Sequence, residues 1–382
     1  VALGILIFVV LYGFGNGLKN TFNEFFGNDA TNVLYLFPGR TSEPYMGYKA
    51  NRRIEFDNSD LKDIKENFAM FLDYVTPQIS KGALAKYGQE SDNYSIRAAA
   101  PSIQEAEKII LMEGRFINQS DIENKTKNIV IGRLVKKDLF KGANAIGEFI
   151  DLGGSSYRVV GVFQDDGGDR EERIIYMSYT TRQRLDKATD KVDQIIIGFK
   201  PEIGYAGAMA LEKSLNTYFR EKKYISPKDP NGMFIRNVTD QLKQNQQFAG
   251  VLQIIISFFC IGTLIAGIIG ISNIMVFVVK ERTKEIGIRK ALGATPRSVI
   301  GTILLESIFI TTISGFIGMM IGVGILTGLG DTLKDYFITD PYIDMGIAIA
   351  STIMLIIFGG IAGYIPAKRA ADIKPIVALR DE

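Results

Sequence analysis

Four stretches without a charged residue constrain this chain more than any other feature: residues 1–18, 248–279, 307–329 and 345–365. Each meets or nearly meets the roughly 20 apolar residues needed to cross a hydrocarbon core of about 30 Å. Inside such a core every backbone polar group must find its partner within the segment, so four helical spans follow. The mean hydropathy of +0.11 and the 23% of charged residues over 382 positions describe neither the spans nor the polar remainder.

Charge orients the spans. Between the second and third, Lys280, Arg282, Lys284, Arg289, Lys290 and Arg297 face only Glu281 and Glu285, which puts this segment in the cytoplasm. The connection between the third and fourth spans carries Asp331, Asp335, Asp340 and Asp344 against Lys334, whereas the tail carries Lys368, Arg369, Lys374 and Arg380. The acidic loop therefore lies outside, the tail inside, and residues 19–247 outside. The division is a first span at 1–18, a stalk helix at 19–30, an extracytoplasmic domain at 31–232, a second stalk helix at 233–247 and a second span at 248–279. A cytoplasmic segment at 280–298, a third span at 299–329, an outer loop at 330–344, a fourth span at 345–365 and a tail at 366–382 complete it. Val1 stands inside an apolar run with neither Met nor a basic leader before it, so preceding residues are expected; a cleaved signal peptide is the competing reading of residues 1–18.

The fold class is an α-helical membrane protein with four transmembrane helices and a large α+β extracytoplasmic domain on a helical stalk. Leu18, Phe22, Phe25 and Phe26 carry the first helix onward, and Ile235, Val238, Leu242 and Ala249 lead at near-heptad spacing into the second span; a tilted span with a frayed end is the alternative. Strands are expected at 33–37, 94–99, 128–131, 157–163, 173–177 and 194–199, with helices from near Ser59, Ser178 and Tyr205. Changes of pattern near Pro101 and Phe163 allow two subdomains. Asp165, Asp166 and Asp169 around Gly167 and Gly168 lack the alternate spacing and closing Glu of a calcium loop, and read as a solvated hairpin tip.

The cytoplasmic segment has internal order. Ile288, Ala291 and Leu292 share one helical face, Glu281, Lys284 and Glu285 lie elsewhere, and Gly293 is placed to end the helix. Thr295 then caps a new helix with Pro296 at its first position. An orienting loop and a docking surface both fit this pattern. The run ERTKEIGIRKALGA at 281–294 resembles the cytoplasmic signature of the MacB/FtsX-type ABC transporter permeases. The resemblance extends through Met112–Phe116, Ile129–Gly132, Leu139-Phe140, Asn144–Gly147 and Val159–Phe163, in the order of a MacB-like periplasmic core domain. It continues in Leu305-Glu306-Ser307 with Gly315, Gly318 and Gly322, and in the tail from Pro366 to Ala371, Pro375 and Leu379-Arg380.

This resemblance implies a permease that couples cytoplasmic ATP hydrolysis to movement of its outer domain, for export from the periplasm or outer leaflet. It implies that Glu281, Arg282, Glu285, Ile286, Gly287, Arg289, Lys290, Ala291 and Gly293 contact an ATPase subunit holding ATP and Mg. A second permease subunit, a periplasmic adaptor and an outer-membrane channel are further implied partners, in a bacterial inner membrane. Lipoprotein-extracting LolC/LolE-type permeases and FtsX-like regulators of wall hydrolases share the topology; a membrane sensor without an ATPase partner is the reading from another class. With no GxxxxGK[ST] loop and no histidine, neither a phosphate loop nor an HExxH or Ser-His-Asp site exists in these 382 residues. Hydrolysis is expected on a separate chain, or on a domain preceding Val1. No cofactor and no nucleic-acid footprint are expected here, the net charge being +2. The single Cys260, in the second span, excludes an intrachain disulfide.

Glu306 is the one charge inside the third span: a functional carboxylate or one that snorkels to the inner headgroups. Gly262 with Ala266, Ala266 with Gly270, Gly318 with Gly322, Gly324 with Gly328 and Gly359 with Gly363 stand four apart. They read as close helix packing, within the chain or across a dimer, or as the generic glycine content of membrane helices.

Overall fold

The computed structural model describes residues 1–27, 31–165, 168–334, 336 and 338–372, with the backbone alone for 22–27 and 331. The side chains of Phe22, Phe25, Phe26 and Asp331, and all of Asp166, Gly167, Asp335, Lys374, Pro375, Leu379 and Arg380, lie outside the described set. The chain opens with α1 (Ala2–Gly27) and continues through β1 (Val33–Pro38), β2 (Phe56–Asp57), α2 (Asn58–Asn67), β3 (Leu72–Tyr87) and β4 (Glu90–Ala99). Next come α3 (Ile103–Ala106), β5 (Ile110–Gly114), α4 (Gln119–Asn124), β6 (Asn128–Gly132), α5 (Arg133–Phe140), β7 (Phe149–Leu152) and β8 (Ser155–Gln164). Then follow β9 (Ile174–Ser178), α6 (Tyr179–Leu185), β10 (Lys191–Val192), β11 (Gln194–Phe199), α7 (Gly204–Lys222) and β12 (Met233–Asn237). The last elements among the described residues are the helices α8 (Val238–Glu281), α9 (Thr283–Ala291), α10 (Pro296–Lys334) and α11 (Met345–Asp372).

Two compact units result, Phe25–Asn245 and the remainder, Val1–Glu24 with Gln246–Glu382. In the first, a ten-stranded mixed sheet runs β12-β1-β11-β3-β4-β9-β6-β8-β5, with β7 pairing both β3 and β8. The pairings β3–β4–β9–β6–β8–β7–β3 therefore close on themselves, which leaves no free edge within that ring. The sheet crosses both Pro101 and Phe163 without interruption.

Strands buried on both faces need apolar residues at successive positions, and these strands have them. Leu34 and Leu36 of β1, Ile195 and Ile197 of β11, and Ile129 and Ile131 of β6 enter one core, beneath Leu61 and Ile64 of α2 and Leu211, Leu215 and Phe219 of α7. Val33 and Tyr35, Ile196 and Val130 enter the other, beneath Ile103 of α3, Ile122 of α4 and Val238 of α8. The α7 residues recur at helical spacing, so one stripe faces the sheet.

Three findings differ from the sequence expectation. First, β3 is a 16-residue strand that the pattern hid, because Pro77 and Lys81-Gly82 break its apolar run. It pairs with β4 up to Tyr87–Glu90, where Gly88 at φ +59° supplies the turn position that favours glycine. Second, Met233–Asn237 of the expected 233–247 helix is strand β12, with Ile235 opposite Leu36, and helix begins only at Val238. Ile235, Val238 and Leu242 are spaced as a helix face while Met233, Ile235 and Asn237 alternate as a strand, so Ile235 fits both; the edge of β1 decides it. Third, Gly114 has a packing role that its sequence context did not announce. At φ +74° its missing Cβ leaves room for the Val160 carbonyl oxygen, so β5 can close against β8.

Beside this edge, Asp121 organises a polar knot. It completes a capping box with Asn118 at the start of α4 and is 2% exposed. Arg115 Nη1 donates to it at 2.6 Å, Thr126 Oγ1 at 2.5 Å and Asn128 Nδ2 at 2.7 Å. Burial pushes this carboxyl up, but these donors together with the Asn118 N–H outweigh burial and hold it well below the usual carboxylate range.

Among the described residues, four helices are long and apolar enough to cross a membrane: Ala2–Thr21, Val238–Glu281, Pro296–Gly330 and Met345–Asp372. With 44 residues, α8 is roughly 66 Å long at 1.5 Å per residue, twice the hydrocarbon thickness. Ile5 and Val9 of α1, Leu264 and Met275 of α8, Val299 and Leu326 of α10 and Leu355 of α11 form the shared core, while Phe258, Ile269, Phe309 and Ile361 remain exposed, as lipid-facing residues should. Glycines set the closest approaches. A Cβ on Gly318 would run into the Ala2 carbonyl oxygen, one on Gly322 would stand 2.8 Å from Val9 Cγ1, and one on Gly359 2.9 Å from Ile271 Cδ1. One on Gly363 would stand 2.9 Å from Ser307 Oγ, whereas Gly262, Gly270, Gly324 and Gly328 have nothing within 4 Å.

Candidate functional site: the cytoplasmic segment between α8 and α10

Only Arg282, at φ −96° and ψ 13°, departs from helical geometry between α8 and α9. The Thr283 hydroxyl donates back to the carbonyls of Val279 and Lys280, at 3.1 and 2.8 Å, a competition that bends helices. At the other end Gly293 stands at φ +98°. The Ala294 amide donates to Arg289 O at 3.0 Å and the Gly293 amide to Lys290 O at 3.1 Å, the paired bonds of a Schellman stop. Thr295 Oγ1 then accepts from the Ser298 amide at 3.3 Å, with Pro296 opening α10.

The buried side of α9 is not the one its apolar residues suggest. Ile286 and Gly287 are buried, while Ile288 is 45% exposed, Leu292 85% exposed and Ala291 exposed. The face that carries Ile288, Ala291 and Leu292 thus points away from the helical core, because burial follows Ile286, which joins Val279, Val299 and Ile303 there. Glu281, Glu285, Arg289 and Gly293 are exposed as well.

Two polar contacts tie α9 to the following spans. Arg282 Nη1 donates to both carboxylate oxygens of Glu306, at 3.1 and 3.2 Å, and Lys290 Nζ donates to the Ala371 carbonyl near the end of α11 at 2.5 Å. Glu285 and Arg289 pair along the helix at 2.8 Å, exposed on both sides and of little energetic weight. In the angle between α8, α9 and α10 lies a cavity of about 110 Å³, floored by Met275, Val279 and Ile303 and rimmed by Arg282, Glu285, Arg289, Ser298, Thr302 and Glu306. Of the segment's residues singled out by sequence, Arg282, Glu285, Ile286 and Arg289 meet there; Glu281, Ala291 and Gly293 do not, and Lys290 turns to α11. The partnership of Arg282 with Glu306 was not read from the sequence. Its only signal was a lone acid in an apolar span, 24 positions from a basic residue of the preceding segment.

Four apolar helices of this length and a mixed α/β domain between the first two define a multi-pass membrane protein with a periplasmic-type domain. Residues 1–211 match the MacB-like periplasmic core domain and residues 256–375 the FtsX-like permease C-terminal domain, so the chain belongs to the MacB/FtsX-type ABC transporter permeases. The macrolide export ATP-binding/permease protein MacB of Mannheimia succiniciproducens is 28% identical over 389 residues, covering 100% of this chain and 57% of its own length. Its counterpart in Wolinella succinogenes is 27% identical over 400 residues, with the same coverage of 100% and 57%. The chain thus spans 57% of the length of these curated relatives. The crystal structure of the periplasmic region of MacB from Actinobacillus actinomycetemcomitans aligns with 58% of this chain and 95% of that one, at 20% identity and a TM-score of 0.48.

Proposed function

We propose that α9 is the docking element for a cytoplasmic ATPase and that the chain transmits ATP-driven motion to its periplasmic domain. The observation that carries this reading is the outward apolar face of α9, with Leu292 85% exposed one turn from Ile288. Burying Leu292 in a partner's groove would contribute about 1.5–3 kcal/mol, and half-exposed Ile288 roughly half as much. Exposed Arg289 in its last turn supplies a charge that an acidic rim on the partner would complement. In this reading the ATPase is a separate subunit that binds ATP and Mg, and its closure shifts the segment from Glu281 to Gly293. The spans then exchange one packing for another, and the periplasmic domain moves with them.

A second copy of the chain completes the transporter, with the open glycines Gly262 and Gly270 of α8 and Gly324 and Gly328 of α10 available for contact between copies. The setting is a bacterial inner membrane. A periplasmic adaptor and an outer-membrane channel carry the substrate onward from the periplasm or outer leaflet. The test is replacement of Glu285 by Lys or buried Gly287 by Leu. Insertion and dimerisation persist while ATP hydrolysis no longer drives export; normal export in these variants refutes the docking role.

A further inference from the structure

We infer that the Arg282–Glu306 ion pair is the link through which α9 moves the third span, with Arg282 and Glu306 as positioning residues; this rests on the docking role proposed for α9. Force passes through contacts and not through voids, and a cavity of about 110 Å³ lies in the angle between α8, α9 and α10. The apolar contribution of α9 to the helical core is the single side chain Ile286. Across the same gap, Arg282 reaches Glu306 with one nitrogen on both carboxylate oxygens, at 3.1 and 3.2 Å.

The location gives the pair leverage. Arg282 is the one residue outside helical geometry between α8 and α9, so it sits at the bend about which α9 turns. Glu306 lies about three turns into α10, well within the helix. At the opposite end of α9, Lys290 holds the Ala371 carbonyl of α11. One short helix is thus tethered at its start to the third span and at its end to the fourth, and the cavity gives it room to tilt between those anchors. Glu306 is thereby neither a free functional carboxylate nor one turned to the headgroups alone: its charge is used inside the protein.

The test is made on the full chain in lipid nanodiscs. Spin labels are placed at Leu292, 85% exposed on the far end of the segment, and at Phe309, 66% exposed on α10, with Cys260 replaced by Ser. The wild-type pair gives a narrow distance distribution. R282Q and E306Q each broaden it by roughly twofold or more, and the charge-exchanged R282E/E306R chain narrows it again. An unchanged width in both single variants, or broadening that charge exchange leaves in place, overturns the link. Failure of the docking role is a different result: no ATPase associates with the wild-type chain, while the label distances still broaden in the single variants and narrow on charge exchange.

Discussion

Gly322 and Gly324 stand two positions apart in α10, and replacing each by Ala should move stability in opposite directions. Alanine is the better helix former by about 0.5–1 kcal/mol, a gain both substitutions share. At Gly324 nothing of the same chain lies within 4 Å of the added methyl, so in the dissociated single chain this gain stands alone. At Gly322 the methyl would meet Val9 Cγ1 at 2.8 Å, Val9 Cβ at 2.9 Å and the Leu6 carbonyl oxygen at 3.4 Å. Carbon atoms rest at about 3.5–4.0 Å, so α1 and α10 must part by roughly 0.7–1 Å or Val9, fully buried, must leave its rotamer. Overpacking of this kind costs about 1–3 kcal/mol. Net of the propensity gain, G322A should be destabilised by about 1–2 kcal/mol and G324A stabilised by about 0.5 kcal/mol. Reversible unfolding in mixed detergent micelles measures both. Equal effects of the two substitutions would refute the reasoning, since propensity alone treats the positions alike.

Acid should loosen the periplasmic unit through its low-pKa carboxylates. Asp121 is held well below its ordinary range, and Asp229, buried against Ser42 and Asn231, is lowered to about 2 by hydrogen bonds that outweigh its burial. A depressed folded pKa gives stability that is present in full above the unfolded value of about 4 and lost as pH falls through the folded one, so unfolding midpoints should drop between about pH 4 and 2 and hold steady above. D121N, which forfeits charge-assisted bonds from Arg115, Thr126 and Asn128, should cost about 1.5–3 kcal/mol in urea titrations and flatten that acid dependence. T295A removes the cap of α10 at a local cost of about 1 kcal/mol, read as faster amide exchange at Ser298.

Much of this architecture was legible because lipid and water impose simple patterns. Uncharged runs mark the spans, and successive apolar residues such as Ile195-Ile196-Ile197 mark strands buried on both faces. Gly293, Thr295 and Pro296 mark a helix stop and restart, each for a backbone reason that holds wherever the chain is. What escaped depends on partners distant in sequence. Ile235 reads as helix until Leu36 is seen to offer it a strand edge. Pro77 reads as a breaker until β3 is paired on both sides. The burial of Ile286, apart from Ile288 and Leu292, shows only once Val279, Val299 and Ile303 stand around it, and Glu306 reads as an isolated acid until Arg282 stands opposite it. A local pattern states what a segment can do; its neighbours choose among the possibilities.

The most direct measurement of the central claim is affinity purification of the full-length protein from its native membrane in mild detergent, with mass spectrometry of what accompanies it and an ATPase assay of the complex. The account predicts a stoichiometric ATP-binding chain whose association or activity is lost in E285K and in a variant carrying charges at Ile288 and Leu292. Recovery of the permease alone, with neither a fused nor an associated ATPase and no hydrolysis, would contradict it and leave a membrane sensor as the better description.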